Sequence, residues 1–467
     1  MGNTEKNVVS ESALDEILRT DENFDIVKRR TELSGRVLVL YFIEGLTDGD
    51  AVSHLLSSAA RADGSDGAVR DIRELLEKCV FCAGVSVCRD KGKAVSSLLS
   101  GKTLILYGDE NACVSADFRK YPQRGIAEPE NDKVLRGPRT GFGETLTVNT
   151  ALIRRHIRDP RLTMKCRSVG SVSKTDVVIC YMDGEADPEY VARLDSLISG
   201  TDAASLTLGA ESLAERLIKR RWFDPFPKIR YTERPDCAAA HLLEGRVIVL
   251  VDNSPTVMIL PSAIFDFIQE SDDYYLPPLV GTYFRTVRCT VFFLTLFLSP
   301  LWYLLISYPQ WIPEWLSFIR VHGHAGMPII AQLFVLEFAV DGLKLAALNT
   351  PSMLSGSFSI IGGLILGDFA VRVGWFVPDT ILYMAFVAIA NFSQPSYELG
   401  YAFKFLRLLL LALTALFGVW GFVSGFIVFV ALIAMNRTVG GKSYLYPLIP
   451  FDARALFRHA VRRRGRR

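Results

Sequence analysis

The sequence has almost no net charge. Its 52 Lys and Arg residues nearly balance 50 Asp and Glu, for a formal charge of +2. Such a balance gives no field for nucleic acid, so no nucleic-acid partner is expected. Cysteine is sparse. Of eight, only Cys79, Cys82 and Cys88 fall close together, with no histidine near them. That spacing argues against a zinc site and for free thiols in a reducing compartment. The opening MGNTEKNVVS contains no apolar run, so no cleaved signal peptide is expected. Lys6 also breaks the N-myristoylation pattern.

Catalytic constellations are missing too. GPRTGFGETL (137–146) is Gly-rich but lacks the Gly-Lys-Ser/Thr ending of a phosphate loop and does not follow a strand. Ser254, in the DNSP stretch, has no histidine at a recognisable spacing, and a strand-connecting turn is the better reading. His322 and His324 flank one glycine with no third metal ligand in view. No nucleophile, base and orienting group assemble, so neither an enzyme nor a cofactor or metal is expected.

What the chain does have is apolar length. Half of its 467 residues are hydrophobic, too long for one compact domain and apolar enough to include membrane spans. The reading is an α/β part made of two tandem duplicated subdomains, followed by a multi-span helical membrane bundle. Residues 1–35 read as a charged leader and 36–125 as the first α/β subdomain. Residues 126–285 hold a basic linker helix and the second subdomain. Residues 286–440 form the transmembrane domain, and 441–467 a basic tail. The duplication rests on order: KTDVVICYMDGEADPEYVARLDSLI (174–198) repeats the strand, acidic-Gly turn and helix of 36–60. EGRVIVLVDNSPTVMILPSAIFDF (244–267) likewise repeats the paired strands of 101–122.

After Ser271 the apolar runs begin. Val291 to Tyr308 is the first, with Arg285 and Arg288 before it and Trp311 and Trp315 after it, like an interfacial belt. Residues 327–349 follow, then a short Gly-rich stretch at 356–370 that suits a half-helix. Trp375 to Phe392 and the long run Phe405 to Met435 complete the set. Gly418, Gly421 and Gly425 in the last would let a neighbour pack closely. The count is four spans with 356–370 as a fifth candidate, and Lys404 and Arg407 complicate it. The basic tail marks its end as cytoplasmic or lying on anionic lipid.

Residues 327–349 carry the main functional candidate. The segment is long enough to span, yet it holds Glu337, Asp341 and Lys344 on one helical face. Charge there is costly unless it faces a partner or water. Two readings stay open: a pore or ion-pathway face, or an intrahelical ion pair at a buried seam. Asp368, beside the Gly-rich stretch, is a second pathway candidate. A separate charge set reads as a structural network or subunit seam. It comprises Arg154, Arg155, Arg158 and Asp159 of the basic helix, Glu233, Arg234 and Asp236 of TERPD, and Glu244 and Arg246 of LEGR.

Several of these stretches also resemble a known family. LRGPRTGFGETLTVNTALIRRHIRDPRL (135–162), PFPKIRYTERPD (225–236) and HLLEGRVIVLVDNSPTVMILP (241–261) resemble the spore germination A-subunit family, the GerA-type membrane proteins. WFVPDTILYMAFVAIANFSQPSYELG (375–400) and YLYPLIPFD (444–452) match its membrane portion, and RRWFDPFPKIRYTERPD is closest to the stage V sporulation protein AF branch. The resemblance implies a protein of the bacterial endospore inner membrane, with its soluble part facing the spore core. It implies a role in germination, when monovalent cations and then dipicolinate leave the core. It implies a homo-oligomer, a pentamer, forming a cation channel alongside other germination membrane proteins in the lipid bilayer. A non-conducting scaffold that docks those partners is the rival reading. A secondary transporter ranks last, because no second related half is visible.

Overall fold

The computed structural model describes residues 9–64, 69, 71–80, 82, 84–108, 111–122, 137–218, 222–270, 272–323, 326–349, 362–363, 369–453 and 456–457. Asp368, His324, most of the 356–370 stretch and residues 454–455 and 458–467 of the basic tail lie outside the described residues. The chain divides into two compact units, Met1–Lys219 with Ile229–Ser262, and Arg220–Lys228 with Ala263–Arg467.

Among the described residues, the first unit holds two five-stranded sheets. One contains β1 (Ile26–Leu33), β2 (Arg36–Ile43), β3 (Val85–Cys88), β4 (Thr103–Tyr107) and β5 (Cys113–Ala116), in the order β1-β2-β4-β5-β3. The other contains β6 (Leu162–Val169), β7 (Thr175–Met182), β8 (Arg230–Thr232), β9 (Val247–Val251) and β10 (Val257–Leu260), in the order β6-β7-β9-β10-β8. The two orders correspond strand for strand, so the internal repeat is a repeat of topology. Every pairing is antiparallel.

The apolar runs in these strands follow from helices on both faces. Side chains alternate across a sheet. In β2 and β4, Leu38, Leu40, Ile105 and Tyr107 pack on α2 (Gly49–Gly64) and α3 (Ile72–Cys79). Val39, Tyr41, Leu104 and Leu106 pack on α1 (Glu11–Leu18) and α4 (Lys91–Leu99). A strand covered on both sides has no polar face, so its sequence shows no alternation.

The stretch read as a leader is part of the first sheet. α1 is capped by Ser10, and β1 pairs with β2 along its full length. Only Ile26 and Leu33 of β1 are buried, which hid an edge strand of charged residues from the hydrophobic pattern. The same segment fuses the two sheets. α5 (Leu146–His156) is the basic helix, whose arginines were expected in a structural network or subunit seam, and Arg154 is fully buried in it. Its guanidinium takes both oxygens of Asp25 at 2.8 and 3.0 Å and donates to the Leu162 carbonyl at 3.1 Å. Phe24 donates to the Met164 carbonyl, and Met164 donates back to Asn23 Oδ1. Arg19 bonds Asp183 and holds its carboxyl below the usual range. Gly45, at φ +80°, leaves room for Ala151: a Cβ there would come within 2.9 Å of it.

The second unit is helical: α9 (Asp272–Tyr275), α10 (Pro278–Ser307), α11 (Ile329–Asn349), α12 (Pro378–Phe392) and α13 (Tyr397–Ala434). By length and composition, α10 and α13 could cross a membrane. The sequence reading took the last run as one span. In α13, however, Gly418 adopts φ 56° and ψ −129°, and the chain turns back on itself there. Phe403 lies 5.8 Å from Phe429, Gly425 meets Leu410, and Gly421 meets the Leu413 carbonyl. The three glycines therefore serve a hairpin within α13. Only a residue tolerant of φ > 0 makes such a turn cheaply, and arms this close leave no room for a Cβ. Both arms share one core with Phe226, Phe267 and Tyr444.

Two predictions follow from the packing. Asp25→Ala leaves the Arg154 guanidinium buried and unpaired, which costs about 3–5 kcal/mol. Urea unfolding of the full chain should show that loss in the first unit, with much of it recovered in the Asp25→Leu, Arg154→Met double variant. A wild-type midpoint for Asp25→Ala would refute the pair's role. For the hairpin, Phe403→Cys and Phe429→Cys, in a background without the eight native cysteines, should cross-link readily within one chain. A continuous helix would hold them about 39 Å apart, from the rise of 1.5 Å per residue, and no such cross-link could form.

Candidate functional site

α11 places Glu337, Asp341 and Lys344 on one face because they are spaced four and three apart. That face does not resolve into a pair within α11. It meets α13, whose Lys404 and Arg407 are also spaced one turn apart. Arg407 forks onto Glu337, Nε to Oε1 at 2.7 Å and Nη2 to Oε2 at 2.9 Å. Its remaining arm donates to the Thr295 carbonyl of α10 at 2.6 Å. Lys404 lies 3.2 Å from Glu337 Oε2 and 2.5 Å from Asp341 Oδ2, and it donates to the Glu337 carbonyl at 3.1 Å. Glu337, Lys404 and Arg407 are 3%, 4% and 1% exposed.

The result is a salt-bridged cluster at the junction of three apolar helices. A bidentate arginine–carboxylate fork is the strongest common form of such a bond. Asp341 is less enclosed, and its Oδ1 is buried with no hydrogen-bond partner. Lys344 completes the face differently. Its ammonium sits 4.6 Å from the Phe392 ring, 4.8 Å from Tyr397 and 4.9 Å from Tyr401. Three ring faces around one cation supply cation–π attraction in place of a carboxylate. The five groups sum to one positive charge, with Glu337 and Asp341 against Lys344, Lys404 and Arg407.

The cluster's two basic partners entered the sequence reading only as a complication in counting spans. The signal was there: two acids one turn apart in one apolar segment, two bases one turn apart in another. Separately, Arg285 and Arg288, which precede the first apolar run, converge on the buried Asp273 at 3.4 and 2.5 Å, and Arg288 also reaches Glu270.

The other candidate charges do not gather here. Arg154 is the buried partner of Asp25, Arg155 stacks 4.9 Å from the Tyr121 ring, Arg158 is exposed, and Asp159 pairs with Arg161. Arg234 is buried and pairs with Asp236 at 2.7 Å, while the Glu233 carbonyl accepts from Phe142. Glu244 lies 3.5 Å from His241, and Arg246 bonds the Pro261 carbonyl. The Gly-rich loop and the DNSP turn prove to be linked. Asp252 accepts from Leu146 at the start of α5, and Ser254 accepts from Ala210 at the start of α7 (Ala210–Leu217). Each supplies an acceptor to the first N–H of a helix whose own N-cap residue, Thr145 or Gly209, makes no side-chain bond. His322 donates its backbone N–H to Asp379 at 2.7 Å.

Comparison with known proteins agrees across nearly the whole length. A family model described as Bacillus/Clostridium GerA spore germination protein matches residues 12–467. The chain is 37% identical to stage V sporulation protein AF of Bacillus subtilis (strain 168) over 440 residues, covering 94% of this chain and 89% of that one. It is 30% identical to spore germination protein KA of the same organism, covering 90% and 78%. The crystal structure of the N-terminal domain of the A subunit of the Bacillus megaterium spore germinant receptor GerK3 aligns with 27% identity and a TM-score of 0.43. It covers 55% of this chain and 96% of that domain.

The geometry predicts unequal roles. Glu337→Gln leaves Arg407 without its carboxylate, a loss of about 3–5 kcal/mol if the site stays dry. The yield of folded protein in detergent should drop sharply. Lys344→Met keeps the aromatic contacts apolar and should fold nearly as well as the parent. Equal yields for all three proteins would show that the fork does not hold the helices together.

Proposed function

Because this chain belongs to the Bacillus/Clostridium GerA family of spore germination proteins, we propose that it acts in germination as a multi-pass subunit of an oligomeric channel for monovalent cations. In this reading it sits in the inner membrane of the endospore as a homo-oligomer, a pentamer, with its first unit facing the core. It works beside other germination membrane proteins and promotes the release of cations and dipicolinate. Membership in the family supports the role in germination. The apolar helices support membrane association.

The observation that carries the channel reading is the charged cluster inside the helical unit. Ionisable groups at membrane depth are rare and mark ion pathways or structural pairs. Here the two uses fall on different residues. Glu337 is closed in by Arg407 and Lys404 and serves as a clamp. Asp341, whose side chain is 28% exposed, is the acid a passing cation would meet. Acidic side chains in a ring are a known device of cation pores. Orientation has support within the helical unit, where Phe292 of α10 and Tyr444 after α13 share a core with Phe403 near the start of α13. Arg285 and Arg288, just before Phe292 in the chain, favour the cytoplasmic side, which in a spore is the core.

A second reading, a non-conducting scaffold that docks partner channels, is favoured by the charge count. The cluster is one unit positive, which repels cations rather than drawing them in.

Potassium efflux from liposomes holding the purified full chain separates the two. Asp341→Asn keeps the Glu337–Arg407 fork, so it should fold, and flux should fall about tenfold if it removes roughly 1.4 kcal/mol of attraction. Unchanged flux from the folded variant would remove Asp341 from the pathway. No flux from folded, oligomeric wild-type protein would favour the scaffold.

A further inference from the structure

Two buried amide oxygens in the helical unit converge on one point. Asn391 stands in the last turn of α12, Gln394 in the turn that follows, and Gly400 in the first turn of α13. A Cβ on Gly400 would lie 2.9 Å from Asn391 Oδ1 and 3.0 Å from Gln394 Oε1. Both oxygens therefore face the same small space, for which the glycine makes room. Each is fully enclosed, and among the described residues neither has a hydrogen-bond donor. A buried acceptor left unmet is costly, so two at one point call for a ligand.

The surroundings identify the ligand's chemistry. Thr295 of α10 spends its hydroxyl proton on the Val291 carbonyl at 2.9 Å. It can therefore only accept, and it accepts from Gln394 Nε2 at 3.0 Å. The amide nitrogen of Gln394 must face Thr295, which leaves Oε1 toward Gly400. The ligand must be one that needs acceptors alone. A buried water would need a donor as well as the two oxygens. The N–H groups of Leu399 and Gly400 are already given to Ser396. Neutral amide oxygens suit a monovalent cation, whose hydration shell carbonyl oxygens can replace, whereas calcium sites draw on carboxylates. Gln394 also lines a small cleft with Phe292, Ser393 and Ser396, which gives an ion its way in. Arg288 on the same cleft is held by Glu270 and Asp273.

We propose that Asn391 and Gln394 bind a monovalent cation against Gly400, fastening the end of α12 to α13 and, through Thr295, to α10. The site needs binding and no flux, so it stands whether or not the chain conducts. It lies one turn from Lys404 along α13 and shares Thr295 with Arg407, so the ion borders the charged cluster. The positive charge of that cluster opposes the ion, and weak, millimolar binding is expected.

The test is equilibrium uptake of radioactive rubidium by the purified full chain in detergent, with N-methylglucamine holding the ionic strength. Wild-type protein should take up rubidium saturably, and potassium should displace it. Gly400→Ala fills the space with a methyl group and should lose that uptake, while alanine, the better helix former, keeps α13 intact. Asn391→Asp puts a carboxylate in the same shape and should tighten binding by about tenfold or more. No saturable uptake by folded wild-type protein would overturn the site and leave water between the oxygens. Uptake that survives Gly400→Ala would place the ion elsewhere and overturn it too. An affinity unchanged by Asn391→Asp would do the same, and that variant decides alone if Gly400→Ala fails to fold.

Discussion

The helical unit depends on one constraint: a charge cannot be left bare in a dry interior. Moving a carboxylate or guanidinium out of water costs several kcal/mol even after relaxation. Glu337 and Arg407 meet that cost only together, and only with the Thr295 carbonyl taking the spare donor. Three helices, α10, α11 and α13, are thereby fixed in rotation as well as in position. Apolar side chains alone would not do this. They exclude solvent but tolerate sliding, whereas a forked bond fails if the helix turns by one residue. The mutual register of the unit follows from the fork.

The first unit solves a similar problem with the same chemistry. Asp25 and Arg154 are both fully enclosed. Around them lie the backbone bonds between residues 23–24 and Met164, so the seam between the two sheets is polar at its centre and apolar outside. In each unit the most enclosed arginine ties together elements far apart in sequence, Asp25 with Arg154 and Glu337 with Arg407. Where hydrophobic burial makes the layers, these arginines decide which layers meet.

The sequence revealed pattern better than partnership. The repeat was visible, because an apolar strand followed by an acidic-Gly turn and a helix recurs at 36–60 and 174–198. The antiparallel order and the covering of both faces agree with those apolar runs. β1 was not visible: its six inner residues, VKRRTE, face outward or lie at an edge, and burial writes no signal there. The basic helix was only half legible, for a related reason. ALIRRHIRDP shows three arginines of equal appearance, and only the fold decides that Arg154 is buried while Arg158 is exposed. The hairpin in α13 left a trace in Gly418, Gly421 and Gly425. Close packing was the right inference from them, but the partner is the helix's own first arm, and a residue pattern cannot say which neighbour a small residue admits. The face of Glu337, Asp341 and Lys344 was legible from spacing, while Lys404 and Arg407 lie about 70 residues away, beyond any local period.

These ties limit how the helical unit could move. Rotating α11 to bring Glu337 toward water would break the fork and strand Arg407 beside Thr295. Any transition that keeps the cluster intact must carry α11 and the first arm of α13 as one body. The places free to yield are those with no such bond. Gly418 is one, since its backbone already sits where only glycine is comfortable. The end of α11 is another, where Lys344 is held by three rings and no carboxylate. Ring faces hold an ammonium with less directionality than a carboxylate, at about 0.5–2 kcal/mol. Lys344 is thus the cluster's cheapest charge to move, and its departure would take the local balance from one positive to neutral. That loss of net charge sits one turn from the unpaired oxygen of Asp341.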